Sequence, residues 1–417
     1  MTSLSSEGRR LRREEKRRLV RRRRIGALAL LAFVALAFVA GLAASGALGG
    51  RNAAAADTTS TGTTSTQTTG TTAPATTNTT STQTTETTSP ATTTTKAPKT
   101  TPRGRLGSGR AVTLAFGGDV HFEGIVRSKL DASPTSVLAA IAPVFNKADL
   151  AVVNLETTVS YRGAPTPGKE YTFRAPPSAF RALKSGGVDL ATVANNHGID
   201  YGLSSFLDTL RYARRYHFPL VGGGLNASRA YAPYRVTIKG QRIAILGASQ
   251  VIDSNLISSW TAGAGKPGIA SAYQVGRLSA AVRSARKKAD TVVVYLHFGE
   301  ERHACPDSMQ VSIARSLIAA GADIVVGSHA HQQQGGGRLG RAFVDYGLGN
   351  FLWYSQNSGA SVTTGVLEVV VTGRRIDGYK WLPARIVGGS PTPLGGSARS
   401  SALASWRGLR GCTNLSR

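Results

Sequence analysis

Five of the seven histidines, His121, His197, His297, His329 and His331, fall in short polar stretches that close apolar runs. Carboxylates and amides accompany them. The first run ends in Asp119-Val-His121, the second in Asn154-Leu-Glu156 and the third in Asn195-Asn196-His197. Later runs end in His297 and in Gly327-Ser328-His329-Ala330-His331. Imidazole nitrogen mixed with carboxylate oxygen is a donor set for borderline divalent metals such as Zn, Mn or Fe. In an extended segment, Asp-x-His and His-x-His direct both side chains to one side, which suits chelation. Two ions about 3.5–4 Å apart can clamp a phosphate ester during in-line attack. A lone Asp-x-His is common by chance, and a strand-end Asn is usually a turn residue. The weight lies in the same residue types recurring at the same place in five segments. His217 closes a helical stretch, where a cation suits the dipole, and reads as structural. His303 also falls outside the pattern, in a loop near His297, where contact with a substrate is the less favoured reading.

The elements that must carry these residues alternate. Residues 111–119, 150–156, 188–197, 218–224, 290–299 and 322–331 read as short apolar strands. Residues 136–148, 177–187, 203–217, 275–289 and 307–321 have helical spacing, several closed by glycine. Residues 234–249 read as a hairpin around Lys239-Gly240, and 341–353 and 364–387 as all-β. Strands alternating with helices make the fold class α/β, and the hairpins add a mixed sheet or two stacked sheets. In such sheets the loops beyond the C-terminal strand ends form the ligand crevice, where the polar residues fall.

Upstream of residue 111 the chain is of another kind. Residues 1–24 carry 11 basic and 3 acidic side chains, and the next 26 residues, 25–50, carry no charge. Ile25 to Leu48 is long enough for the roughly 20-residue apolar helix that crosses a bilayer. The basic block would then stay in the cytoplasm and the rest of the chain lie outside. A cleaved signal peptide is the alternative, given the small residues Ala43 to Ala47; the length of the run favours an uncleaved anchor. Residues 51–110 are rich in Thr, Ser and Pro and read as a disordered stalk. The folded domain is expected over 111–390, with 391–417 as a tail. The domain and tail, 111–417, hold 33 basic and 18 acidic residues, a net +15 that completes the +27 of the chain. That charge attracts anionic polymers. Nucleic acid is disfavoured as a partner, because no such motif occurs and the topology places the domain outside. Two cysteines exclude a disulfide-rich scaffold or a Cys-rich zinc site.

Several stretches resemble the CapA family, the poly-γ-glutamate capsule biosynthesis proteins, within the calcineurin-like metallophosphoesterase superfamily. They are GGDVHFEG (117–124), VVNLETTVS (152–160), FRAPP (173–177), ATVANNHGIDYG (191–202), GGGLNASRAYAPY (222–234), LHFGEE (296–301), AGADIVVGSHAHQQQG (320–335) and YGLGNFLW (346–353). The resemblance implies a four-layer α-β-β-α metallophosphoesterase-like sandwich holding one or two divalent ions, Mn, Fe or Zn. It implies Asp119, His121 and His331 as ligands of a first metal. Asn196, His297 and His329 would hold a second, and Glu156 stands where the superfamily usually has a bridging Asp. His197 matches the histidine that protonates the leaving group or steadies the transition state. Arg174 would bind a substrate anion, or else be an ordinary surface arginine. Asp200 would cap the following helix, the preferred reading, or orient His197. Glu300 would support His297, and Asn350 a tight turn. Cys305 and Cys412 would pair in an oxidising compartment, two free thiols being the alternative.

The resemblance therefore implies a membrane-anchored capsule or exopolymer component with a metal-dependent hydrolytic site, working beside other capsule-synthesis membrane proteins. A metallophosphoesterase ectoenzyme without a capsule role, and a non-catalytic polymer-binding module, are the competing readings. The substrate would be an anionic envelope polymer or a phosphoester.

Overall fold

A computed structural model of the chain describes residues 106–354 and 359–417. The basic segment, the apolar run 25–50 and the Thr/Ser/Pro-rich stretch as far as residue 105 lie outside the described residues. No helix among the described residues is long and apolar enough to cross a membrane.

The strands are β1 (Val112–Val120), β2 (Leu150–Leu155), β3 (Thr158–Val159), β4 (Arg174–Ala175), β5 (Leu190–Thr192), β6 (Leu220–Val221), β7 (Gly223–Gly224), β8 (Tyr234–Ile238) and β9 (Gln241–Ser249). They continue with β10 (Gly268–Ile269), β11 (Thr291–Phe298), β12 (Ile324–His329), β13 (Gly336–Leu339), β14 (Ala342–Asp345), β15 (Asn350–Leu352), β16 (Thr363–Thr372), β17 (Arg375–Val387) and β18 (Ser390–Pro393). One sheet runs β18-β17-β16-β1-β2-β5-β6, with β15 also pairing β1; a second runs β13-β14-β12-β11-β9-β8. Both are mixed. β1, β2, β5 and β6 are parallel, as are β9, β11, β12 and β14.

Strand alternation explains the layering. Leu114 and Phe116 of β1 join Val152, Ile245, Val293, Tyr295 and Val326 in one apolar cluster between the sheets. Ala115 and its neighbours Ala151 and Val153 face the other way, against helices Gly124–Ala132, Ser178–Ser185 and Gly202–Arg215. Leu246, Val294 and Leu296 face outward from the second sheet against helices Val275–Arg286 and Ser308–Ala320. The result is helices, sheet, sheet, helices. Strands buried on both faces read as continuous apolar runs, and β1, β11 and β12 do.

Local signals set several boundaries. Lys239 and Gly240, at φ 50° and 77°, make the tight turn between β8 and β9. Asp307 and Gln310 form a capping box at the start of the helix that Gly321 ends at φ 117°. Residues 136–148 differ from the expected helix. They hold only Ala142–Phe145 flanked by turns, because Pro143 has no N–H to continue a longer one. The tail expected at 391–417 instead contributes β18 and a helix, Gly396–Gly408. Trp406 of that helix is buried and stacks on Trp381 of β17 at 5.6 Å.

Candidate metal centre

The C-terminal ends of β1, β2, β5, β11 and β12 converge where the two sheets meet, and each delivers polar side chains. β1 reaches Asp119 through Gly117-Gly118, where its register with β2 shifts. A Cβ at Gly118 would overlap the Gly349 carbonyl, so glycine permits the close crossing. Asp119 Oδ1 accepts from Asn154 Nδ2 at 2.8 Å, and Oδ2 accepts the His329 N–H at 3.1 Å. Asn195 Nδ2 donates to Asn154 Oδ1 at 2.9 Å, extending the amide network beneath the acids.

Three groups of ligand atoms converge: Glu156 with His297 and His329, Asp119 with Glu156 and His331, and Glu301 with His329 and His331. Glu156 belongs to the first two groups and lies between them. It is fully buried, and neither carboxylate oxygen has a hydrogen-bond partner. Its Oε1 lies 3.4 Å from His297 Nε2 and 3.9 Å from His197 Nε2. Nδ1 of buried His329 also lacks a partner. An unpartnered carboxylate in a dry interior is costly. Burial, then Asp119, push the Glu156 carboxyl well above its usual range, and burial raises Asp119 as well. Burial holds His297 and His329 well below theirs, in the neutral state that ligates metals. Two acids that need a cation facing neutral imidazoles fit a divalent metal ion.

The His-x-His segment is not extended, contrary to the spacing argument. His329 and His331 take φ 101° and 54°, in the left-handed region. Such backbone is uncommon outside glycine and gathers at functional sites. Asn350 Oδ1 lies 2.9 Å from His331 Nδ1, and its Nδ2 donates to the Ser361 carbonyl. It is therefore bound to the site histidine and the Ser361 backbone, and is not only a turn former.

His121, expected as a ligand, is in none of the three converging groups. Its Nδ1 faces the Glu123 N–H and its Nε2 the Tyr354 N–H, at 3.2 and 3.3 Å. Phe173 stacks on the ring at 4.5 Å, with Trp353 and Tyr354 edge-on. The aromatic cage and the two backbone amides fix the ring's orientation.

Phe173 also stacks on His197 at 4.1 Å. His197 Nδ1 lies 2.6 Å from Asp200 Oδ2, so Nε2 is the nitrogen turned toward Glu156. Burial lowers the pKa of His197 and Asp200 opposes that shift. Asp200 is not a helix cap: the helix at Gly202 has Tyr201 as its cap residue and no side-chain cap bond. The Asp200 oxygens instead accept from Lys169 Nζ at 2.6 Å and from the Phe173 N–H at 2.7 Å. Lys169 is nearly buried, also donates to the Asn196 carbonyl, and lies over the Trp260 ring. The Asn196 amide oxygen lies 2.8 Å from His297 Nε2.

Two further expectations change. Glu300 is exposed and pairs with His303 at 3.0 Å, turned to solvent, while Glu301 faces His331. Arg174 lays its guanidinium over the Tyr201 ring at 4.3 Å, and its N–H donates to Glu123. It does not line the clefts at the centre. One of about 600 Å³ is bounded by Phe173, His197, Arg302, His331 and Trp353; an adjoining one of about 420 Å³ includes Lys169 and Asn196. The cations there are Lys169 and Arg302. Lys169 sits in a stretch with no motif, and the choice of Glu301 over Glu300 depends on a turn. Trp353 lies within a matched motif, yet nothing in its sequence position shows that it walls the site. Cys305 and Cys412 are joined as a disulfide, tying the loop after β11 to the C-terminal segment.

Comparison with known proteins gives a consistent family. The family described as "Bacterial capsule synthesis protein PGA_cap" matches residues 113–355. A PGA biosynthesis protein CapA of Bacillus subtilis is 28% identical over 256 residues, covering 61% of this chain and 66% of that one. A capsule biosynthesis protein CapA of Bacillus anthracis is 27% identical over 304 residues, covering 68% and 69%. A probable polyglutamine synthesis accessory protein of Mycobacterium tuberculosis is 28% identical over 199 residues, covering 46% and 52%. The chain thus spans about two thirds of the Bacillus proteins and about half of the mycobacterial one. Among solved structures, a hypothetical protein of Thermus thermophilus has a TM-score of 0.44 at 17% identity, covering 66% of this chain and 99% of that one. A 5'-nucleotidase of Candida albicans has a TM-score of 0.38 at 11% identity, covering 73% and 54%.

Proposed function

Because the chain belongs to the PGA_cap, or CapA-like, family of capsule and poly-γ-glutamate biosynthesis proteins, we propose that it acts at the cell surface as a metal-dependent hydrolase in the making of an anionic capsule polymer. The observation that carries the reading is Glu156. Its buried, unpartnered carboxylate is shared between two groups of converging ligand atoms.

Asp119, Glu156 and His331 would hold one ion, and Glu156, His297 and His329 a second, with Mn, Fe or Zn matching the donors. A bound divalent ion would supply Lewis acidity to a phosphoryl or acyl oxygen. The chain's own residues do the rest. Asp200 accepts from His197 Nδ1 and orients the ring, so that in its imidazolium form Nε2 can hand a proton to a leaving oxygen in the cleft and the ring is left neutral with its proton on Nδ1. Lys169 balances the charge of Asp200, and the Phe173 ring shields the imidazole. Lys169 and Arg302 give the cleft walls an affinity for anions.

An extracytoplasmic place, with residues 25–50 as the anchor, is supported by that charge-free run behind a basic block. It is also supported by the disulfide, a bond that persists in oxidising compartments.

The test is metal content by mass spectrometry beside a His329→Ala, His331→Ala control, followed by a phosphoester and amide substrate panel. Between one and two ions per chain, lost in the control, are expected. His197→Ala should keep the metal and lose about 10²–10⁴-fold in turnover. No metal after reconstitution would sink the enzyme reading and leave a polymer-binding module.

A further inference from the structure

The second sheet does not cover the whole inner face of the first. Where β17 runs past it, helix Gly396–Gly408 lies on Tyr379 and Trp381 and seats Leu403 and Trp406 in the inter-sheet core. A cavity of about 550 Å³ opens between that helix and β17. It shares no lining residue with the clefts at the metal centre.

Its walls are cationic. Arg399, Arg407 and Arg410 follow one another at helical spacing on the side that carries Leu403 and Trp406, and Lys380 and Arg417 complete the rim. Lys380 is paired with Glu368 at 2.7 Å, and Arg410 donates to the Gly336 carbonyl at 2.9 Å. The guanidinium groups of Arg399, Arg407 and Arg417 have no acidic partner among the described residues. From Gly378 to Arg417 the chain has 6 basic residues and no acidic one. Other arginines of the fold do lie against acids, as Arg162 and Arg211 do with Asp208 and Arg286 and Arg374 with Asp323.

We propose that this cavity is a second binding site, remote from the metal centre, that holds a stretch of a polycarboxylate chain. Guanidinium forks match carboxylates two bonds at a time. Arg399 and Arg407 are eight residues apart on the helix, on the order of 12 Å along its axis, so one polymer can engage both. Leu403, on the helix between Arg399 and Arg407, suits the methylene spacers of such a chain. The site would retain the polymer while another part of it lies in the cleft, raising the local concentration there. Poly-γ-glutamate is taken as the ligand on the strength of the capsule reading above; the cavity itself does not depend on it.

The experiment titrates fluorescein-labelled poly-γ-glutamate into the full chain in detergent, with polyphosphate in a second arm. An Arg399→Ala, Arg407→Ala variant is compared with Arg214→Ala, Arg215→Ala, which removes two exposed arginines from helix Gly202–Arg215. Arg399 and Arg407 are exposed, so the variant should melt with the wild type. The expected result is a Kd about tenfold weaker, with a flatter salt dependence, for Arg399→Ala, Arg407→Ala alone. Equal weakening in both variants, or in neither, would overturn the site while leaving the capsule reading intact. Polyphosphate bound through Arg399 and Arg407, with no affinity for poly-γ-glutamate, would keep an anion site but overturn the polycarboxylate ligand and count against the capsule reading. No binding of either polymer at low salt would overturn the site outright.

Discussion

Replacing Glu156 by glutamine keeps the side chain's volume and removes a buried charge that has no hydrogen-bond partner. Its carboxyl is raised by burial, then by Asp119 and Glu301, so in the absence of a cation the charge opposes folding. Without metal, Glu156→Gln should therefore melt above the wild type, by about 1–3 kcal/mol of stability. With saturating Mn²⁺ the order should reverse, because only the wild type gains the binding energy. Calorimetry with chelator and with metal checks both halves. A variant that melts below the wild type in chelator would mean that Glu156 has a partner in solution. The position of Glu156 after β2 marks it in the sequence, but its orphaned state is not visible there: that depends on Asp119, His297 and His329 arriving from three other strands.

At the scale of elements, Asp208 holds a loop to a helix. It lies within helix Gly202–Arg215 and accepts from Arg162 at 2.8 and 2.5 Å and from Ser160 at 2.8 Å. The Val159 N–H donates to Thr209 on the same helix, so β3 and the segment that leads to Lys169 are fixed together. The Arg162 hydrogen bond leads the causes that hold the Asp208 carboxyl below its usual value. A depressed pKa gives stability that is present above the unfolded value of about 3.9 and is lost as pH falls through the lower folded value. Asp208→Asn should melt a few degrees lower at neutral pH, and the gap should close in acid. Thermal melts of both proteins from about pH 7 to about pH 3 test the sign, and a gap that widens in acid would refute it. Helix Gly202–Arg215 is legible from its apolar spacing. The pairing of Arg162 with Asp208, 46 positions apart, is not.

For the molecule as a whole, the Cys305–Cys412 bond closes a loop with a sequence separation of 107 that contains β12 to β18 and the helix over β17. Loops of that length gain the most from cross-linking, typically about 2–4 kcal/mol. Cys412→Ala should lower stability by that amount in denaturant titrations, and a reductant should do the same to the wild type and nothing further to the variant. Cys305 ends the loop that carries Glu301 and Arg302, so metal affinity should weaken in the variant more than in a surface control. Unchanged stability on reduction would mean the bond does not form in the purified protein.

The alternating strands and helices, the Lys239-Gly240 turn, the capped helix at Asp307 and the segments at whose ends the polar residues lie are all legible in the linear chain. These depend on local backbone preference and on periodicity, which a linear reading contains. It also carried the family, through ordered motifs over residues 113–355. The tertiary structure decided which atoms face one another. The His329 N–H meets Asp119 across 210 positions, Tyr354 meets His121 across 233, and Lys129 meets Ser390 across 261. Contacts of that kind also hold Asp200, which Lys169 Nζ reaches across 31 positions, so that it serves His197 rather than a helix end. They also make a helix of what composition presents as a tail, since Trp406 is apolar cover only once Trp381 lies beneath it. Side-chain direction is set by packing between distant segments, and packing exists only after the chain has folded.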